Sequence, residues 1–310
     1  MAKKVLLATE KPFAASARDQ VVSIIKEAGY EAVVLESYTS KADPIRSVAD
    51  VDAMIVRSDI VDAEVLAAAK NLKLVVRAGA GFDNVDIANA KERGIAVMNT
   101  PGQNANAVAE LVFGLMLYMA RSKFDGKTGI ELRGKRLGLQ AFGAVARAVP
   151  PIAKGFGMSV RVYAPTADPA RIHDAGCEQV KTLEELYSSS DFLSLHIPKR
   201  KANLGAVTKA LLMLMPKGAT LINTARAEIV NEPELLAALE ERPDLKYATD
   251  VQPSAETHAV LLEKFASRYF CPPKKLGAQT SEANVNAGKA AAHQIVGFFE
   301  RNERNFIVNP

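Results

Sequence analysis

Cysteine is nearly missing: the 310 residues hold only Cys177 and Cys271. Two thiols that far apart give neither a disulfide framework nor a zinc ligand set, and they suit a reducing, cytoplasmic setting. No bound metal is expected. A dominant charge sign is also missing. The 39 basic and 35 acidic residues are spread along the chain and leave a net charge of +4, which lacks the footprint of a nucleic-acid binder. A local basic pocket for an anionic metabolite remains compatible with that balance. Long apolar runs are absent as well. Val5-Leu6-Leu7-Ala8 is interrupted by Glu10 and Lys11 and is too short for a signal peptide. The run from Leu111 to Ala120 is too short to cross a bilayer, so no membrane association is expected. There is no Gly/Ser linker and no low-complexity tract.

What is present is an ordinary globular composition, 48% hydrophobic and 24% charged, with length for two medium domains. Short β-branched runs alternate with amphipathic stretches. After the strand at Val5, the runs 32–35, 53–56, 74–76 and 95–98 have the continuous apolar character of buried parallel strands. A second series follows at 137–139, 160–163, 192–195, 220–223 and 247–250. Two βα series predict an α/β fold of two doubly wound, parallel-sheet, Rossmann-like domains with a ligand cleft between them. Long helical patterns cover 104–121 and 281–301. The last of these is expected to return to the first domain, giving a discontinuous domain of 1–100 plus 281–310 around one of 101–280.

After the strand at 137–140 comes Ala141-Phe142-Gly143-Ala144-Val145-Ala146, a G-x-G-x-x-G loop with alanine at its first and third glycine positions. The central Gly143 allows backbone amides to approach a pyrophosphate, and the helix that follows offers N–H groups and a favourable dipole. Phe142, Gly143, Ala144 and Val145 are the candidate cofactor residues here. Ala164 stands 21 residues after Gly143, where an acidic residue normally binds the adenosine ribose. Its absence leaves NADP conceivable beside NAD, with Arg161 and Arg171 near in sequence. Asp168 could substitute only if its loop folds back. Pro150-Pro151 conflicts with a helix begun at Gly143, so either that helix is kinked or it begins near Pro150.

The blocks Val76-Arg77-Ala78-Gly79-Ala80-Gly81-Phe82-Asp83-Asn84-Val85-Asp86, residues 99–111, Leu195-His196-Ile197-Pro198, Ile222-Asn223-Thr224-Ala225-Arg226 and Thr249-Asp250-Val251 come in order at consistent spacing. Nearly the whole chain thereby resembles the D-2-hydroxyacid dehydrogenases. The stretch Pro273-Lys274-Lys275-Leu276-Gly277-Ala278-Gln279-Thr280 points to their phosphoglycerate branch, with Lys275 where other members carry a catalytic histidine. The resemblance implies a substrate-binding domain (1–100 plus 281–310), a dinucleotide-binding domain (101–280) and an NAD-dependent hydride transfer. The implied pair is 3-phosphoglycerate and 3-phosphohydroxypyruvate, at the entry to serine synthesis. It also implies a homodimer through the 104–121 helix and the arm after it. An end at Pro310 leaves no room for a C-terminal regulatory domain.

Carried over by residue, Arg226 would bind the substrate carboxylate and polarise its 2-oxygen, and Asp250 would face the nicotinamide carboxamide. Gly79 and its neighbours would offer amides to the carboxylate, while Arg57, Ser58, Arg77 and Asn104 would recognise the phosphate-bearing end. His196 and Pro198 would border the cofactor, Thr224 and Ala225 would lie beneath it, and Gly277 would adjoin it. The residue chemistry agrees at Arg226, which follows a strand end where open α/β sheets place ligands, and whose fork suits a carboxylate. Arg57 has an alternative as a local ion pair with Asp59.

Lys275 would be the acid–base. The position of the glutamate that normally accompanies the histidine is Ala255 here, and the two changes fit together. A lysine must come down from pKa ~10.4 to act as a base, so a neighbouring carboxylate would hinder it, whereas burial beside Arg226 and Lys274 would help. Its alternative is a simple anion-binding lysine. His173, His258 and His293 sit in polar or helical contexts. Two further functional readings stay open: a glyoxylate or hydroxypyruvate reductase using NAD(P)H, and a catalytically silent dinucleotide binder.

Overall fold

The computed structural model describes residues 2–310. Its elements run, in chain order, β1 (Lys4–Thr9), α1 (Ala15–Glu27), β2 (Glu31–Glu36), α2 (Ala42–Ser47), β3 (Ala53–Val56), α3 (Ala63–Ala68), β4 (Leu74–Arg77), α4 (Ile87–Glu92), β5 (Ala96–Asn99) and α5 (Ala105–Ala120). They continue with β6 (Arg136–Gln140), α6 (Ala144–Gly155), β7 (Ser159–Tyr163), α7 (Pro169–Asp174), β8 (Glu178–Gln179), α8 (Leu183–Ser188), β9 (Phe192–Leu195), α9 (Lys209–Leu214) and β10 (Thr220–Asn223). The last are α10 (Glu232–Glu241), β11 (Lys246–Thr249), α11 (Ala255–Lys264), β12 (Tyr269–Phe270) and α12 (Ser281–Glu300). The chain divides into two compact units, Met1–Asn104 with Gln279–Pro310, and Ala105–Ala278. Among the described residues no helix is long and apolar enough to cross a membrane.

The first unit is built on a five-stranded parallel sheet in the order β2-β1-β3-β4-β5. Its two faces are covered separately. Val5, Leu7, Ile55 and Val76 pack under α1 and α12, whereas Leu6, Met54, Val56 and Val75 pack with Val65, Leu66 and Ala90 on the other side. The chain returns to this unit because α12 fits closely on α1: a Cβ added at Gly288 would lie 2.8 Å from Val21 Cγ2 and 3.4 Å from the Phe13 ring. The strand expected at 32–35 is an edge strand, half-exposed rather than buried, because β1 pairs with only one side of it.

The second unit holds a seven-stranded parallel sheet, β12-β11-β10-β9-β6-β7-β8. Chain direction along the sheet reverses between β6 and β9, and ligands of such sheets bind outside the carboxyl ends of the strands at that point. In this sheet those carboxyl ends lead into the segments after β6, β9, β10 and β11. The helix after β6 begins at Ala144 and not near Pro150, and it runs through both prolines to Gly155. Val149, Pro150 and Ala153 face the core, so packing outweighs the two missing amide donors.

Candidate active site

Ala141 leaves β6 with φ +85°, a left-handed conformation that costs a residue with a Cβ of the order of 1–2 kcal/mol. Gly143 is different. Its φ is −74°, and a Cβ built there would meet nothing within 4 Å. Neither backbone geometry nor packing within the unit calls for glycine at this point, so the space it leaves open faces outward. Gly143 heads α6 without a side-chain cap, whereas α7 to α11 are each capped by a side chain (Asp168, Thr182, Thr208, Asn231 and Ser254). The first-turn N–H groups of α6 are thus left for an anion. Phe142 belongs to the core, so only its backbone adjoins this loop. Ala144 and Val145 are half-buried.

Ala164 directly follows β7 in a buried position. Asp168 does not fold back: its carboxylate accepts the Ala170 amide and caps α7. Arg161 is paired with Glu178 at 2.9 Å, while Arg171 is exposed on α7.

His196 follows β9, with its amide donating to Gln140 O. Its ring Nε2 is buried without a hydrogen-bond partner among the described residues, and burial pushes its pKa down to about 4. Pro198 is exposed and accepts from Asn203. After β10, Asn223 organises the turn. Its Oδ1 accepts the Ala225 amide and its Nδ2 donates to Arg226 O, at 3.0 and 2.9 Å. Asn223 is fully buried, so the turn that carries Arg226 hangs on one side chain, and the sequence reading did not single it out. Thr224 Oγ1 is buried and unpartnered. Arg226 is half-buried and donates from Nη1 to Ala225 O.

Asp250 directly follows β11 and is almost wholly buried. Its Oδ1 accepts the Leu276 amide at 2.6 Å and its Oδ2 the Gly277 amide at 2.9 Å. A Cβ at Gly277 would stand 2.8 Å from Oδ2, so glycine lets the segment lie against the carboxylate. Burial raises the Asp250 pKa, against the two amide bonds and the charge of Lys275. Lys275 itself is exposed. The burial expected for it is not found, and the charge acting on it includes the very kind of carboxylate whose absence was expected.

In the first unit, the candidate residues follow β3, β4 and β5. Arg57 rests over the Phe13 ring, 4.9 Å from its centroid. Its Nη1 donates to the carbonyls of Lys11 and Pro12, and its Nη2 to Asn284 Oδ1 at 2.5 Å. The local ion pair with Asp59 does not form, because that carboxylate accepts the backbone amides of Arg57 and Glu10 and the Tyr38 hydroxyl. Among the described residues every hydrogen-bond partner of the Arg57 guanidinium is neutral. Desolvation lowers its pKa, against the charge of the nearby Asp59. Helix α1 opens nearby at Ala15, also without a side-chain cap. Phe13 and Asn284 carried no signal in the sequence.

Gly79 has φ +151°, and a Cβ there would overlap the Arg77 guanidinium, 1.6 Å from Nη1. Its amide donates to Arg77 O and its carbonyl accepts from Thr100. The Gly79 N–H is therefore engaged within the chain. Ser58 is exposed, and Asn104 immediately precedes α5.

Residues 112–265 match the model of the NAD-binding domain of D-isomer specific 2-hydroxyacid dehydrogenases. Over 296 residues the chain is 34% identical to the D-3-phosphoglycerate dehydrogenase of Archaeoglobus fulgidus, covering 90% of this chain and 55% of that one. Over 283 residues it is 34% identical to a hydroxypyruvate reductase of Thermotoga maritima, covering 86% and 90%. The chain thus spans about half the length of the phosphoglycerate dehydrogenases among these relatives. An NAD+-bound 3-phosphoglycerate dehydrogenase structure from Entamoeba histolytica matches with a TM-score of 0.90 at 42% identity, covering 100% of this chain and 99% of that one.

Proposed function

This chain belongs to the family of D-isomer specific 2-hydroxyacid dehydrogenases, and from that premise we propose that it moves hydride between NAD(H) and the 3-phosphoglycerate/3-phosphohydroxypyruvate pair, the first step of serine biosynthesis. The observation that carries the choice of substrate is Arg57. A half-buried guanidinium fixed on an aromatic ring by neutral acceptors lacks a carboxylate partner and suits a phosphate.

Bound NAD supplies the hydride acceptor. The residues fit its binding: Gly143 leaves a backbone approach open, the α6 N-terminus is uncapped, and Thr224 Oγ1 and His196 Nε2 are buried polar atoms without partners. With its pKa held down to about 4, His196 presents a neutral ring. Arg226, fixed by Asn223, would hold the substrate carboxylate and polarise the 2-oxygen. Lys275 would donate its proton to the 2-oxygen as the oxo acid is reduced and take it back in the oxidation direction. As an ammonium it is the acid for reduction. Ala80 and Gly81 would offer amides to the carboxylate, and Ser58, Arg77 and Asn104 would join Arg57 at the phosphate.

A second reading, reduction of glyoxylate or hydroxypyruvate with NADPH, is favoured by Ala164 and by the Thermotoga relative. We also read the protein as a cytoplasmic homodimer. Supporting this are two free thiols and, on the segment after α5, the exposed Phe124 and Ile130.

The test is oxidation of NADH and NADPH in parallel with 3-phosphohydroxypyruvate, hydroxypyruvate and glyoxylate, with Lys275→Ala as control. Turnover of the phosphorylated acid that collapses in the variant supports the reading. Preference for an unphosphorylated acid moves it to the second reading. Cofactor binding with no turnover of any acid makes the protein a silent dinucleotide binder.

A further inference from the structure

We propose that Asp250 is a positioning residue for Lys275, holding the backbone on which the ammonium is carried. The inference rests on the acid role assigned to Lys275 above.

Two independent features make the arrangement specific. The carboxylate uses one oxygen for each of two consecutive amides, Leu276 N at 2.6 Å and Gly277 N at 2.9 Å, which fixes both the position and the twist of the segment. These are the two peptide groups directly after Lys275. In addition, Gly277 packs so tightly on Oδ2 that a methyl group would stand 2.8 Å from it and 3.3 Å from Val108 Cγ2. Such close approach gives the segment little freedom to slide. The anchor is itself fixed, because the Asp250 amide donates to Asn223 O at 3.0 Å.

That last bond links the two functional side chains of the second unit. Asn223 holds the turn bearing Arg226 through its side chain. Through its carbonyl it also accepts from the Asp250 amide and from Thr249 Oγ1. Arg226 and Lys275 are therefore registered against each other by a buried Asn223–Asp250 pair, although 49 positions separate them in sequence. An exposed lysine gains little precision from its own packing. A pinned backbone supplies it. The Asp250 and Lys275 charges also act on each other, so the carboxylate that pins the backbone lies within reach of the ammonium's charge.

A double-mutant cycle tests this. Asp250→Asn keeps the side-chain shape and one acceptor oxygen, and serves where Asp250→Ala fails to fold. Asp250→Asn is expected to lower kcat at least tenfold, with a clearly smaller loss of NADH affinity, read by fluorescence titration. In a Lys275→Ala background the same substitution should change kcat less than twofold. Hydrogen exchange at the Leu276 and Gly277 amides should accelerate. Losses that multiply across the cycle overturn the proposal, as does a tenfold loss of NADH affinity with kcat unchanged. If the wild-type protein turns over no 2-oxo acid, the functional reading fails separately. Pinning of the segment is then decided by the exchange rates, with unchanged exchange overturning it.

Discussion

Nη2 of Arg57 donates to Oδ1 of Asn284 at 2.5 Å, across 227 positions of sequence. The other end of the Asn284 amide donates to Thr280 O, and Thr280 in turn caps α12. The guanidinium is thus aimed by the first turn of the helix that closes its unit. Asn284→Ala frees one fork nitrogen while leaving the charge in place. A hydrogen bond to a charged group contributes ~1.5–3 kcal/mol. KM for 3-phosphohydroxypyruvate is therefore expected to rise about tenfold, and KM for hydroxypyruvate, which lacks the phosphate, to stay within about twofold. Steady-state kinetics with the two acids check this. An equal rise for both would detach Asn284 from phosphate recognition.

Most strands were legible because buried parallel strands are continuous β-branched runs; Ala53–Val56 and Thr220–Asn223 are buried at every position. The two-residue strands β8 and β12 offered too few positions for any periodicity to show. That the candidates Arg57 and Asp250 directly follow strands was legible together with the strands. The part played by Asn284 was not, since an asparagine in a helix reads as solvated until its tertiary partner is known, and Phe13 and Asn223 show theirs only through contacts made in the fold. The burial expected of Lys275 failed on geometry. Its neighbours in sequence say nothing of Asp250, which reaches the segment from another strand end.

The cofactor choice turns on Ala164. It follows β7 at the position where the family pattern leads one to expect an acid, and Arg161 is paired with Glu178. Ala164→Asp adds a hydrogen-bond acceptor for the hydroxyls and a charge that repels a 2′-phosphate. NADPH-dependent kcat/KM is expected to fall about tenfold or more while the NADH value holds or rises. Parallel kinetics with the two cofactors measure the ratio, and an unchanged ratio would mean that this position lies outside the ribose contact.

Helix α6 tolerates Pro150 and Pro151 within its span. Pro150 is buried and packs in the core, whereas Pro151 is exposed. Replacing the exposed one restores an amide donor and removes a ring clash without leaving a cavity. An interior proline costs about 3 kcal/mol, part of which is offset by the stiffer unfolded chain. Pro151→Ala is expected to stabilise the protein by about 1–2 kcal/mol, seen as a higher urea midpoint at unchanged slope. A lower midpoint would show that the proline rigidifies the turn more than it strains the helix.

His196 makes stability depend on pH with a definite sign. Burial holds its folded-state pKa down to about 4 from 6.5, so between those values the unfolded chain binds a proton that the folded protein refuses. The stabilisation is complete above pH 6.5 and is lost progressively as pH falls towards 4, by roughly 3 kcal/mol in all. Asp250, raised by burial, acts in the opposite direction, which is why the comparison is made with a variant rather than with an absolute curve. His196→Gln removes the titration and keeps a polar side chain. Urea unfolding at intervals from pH 7.5 to 4.5 should show a steeper acid decline for the wild-type protein than for the variant. Parallel curves would mean that the ring gains a proton without leaving the fold, and its place beside a neutral cofactor edge would then have to be abandoned.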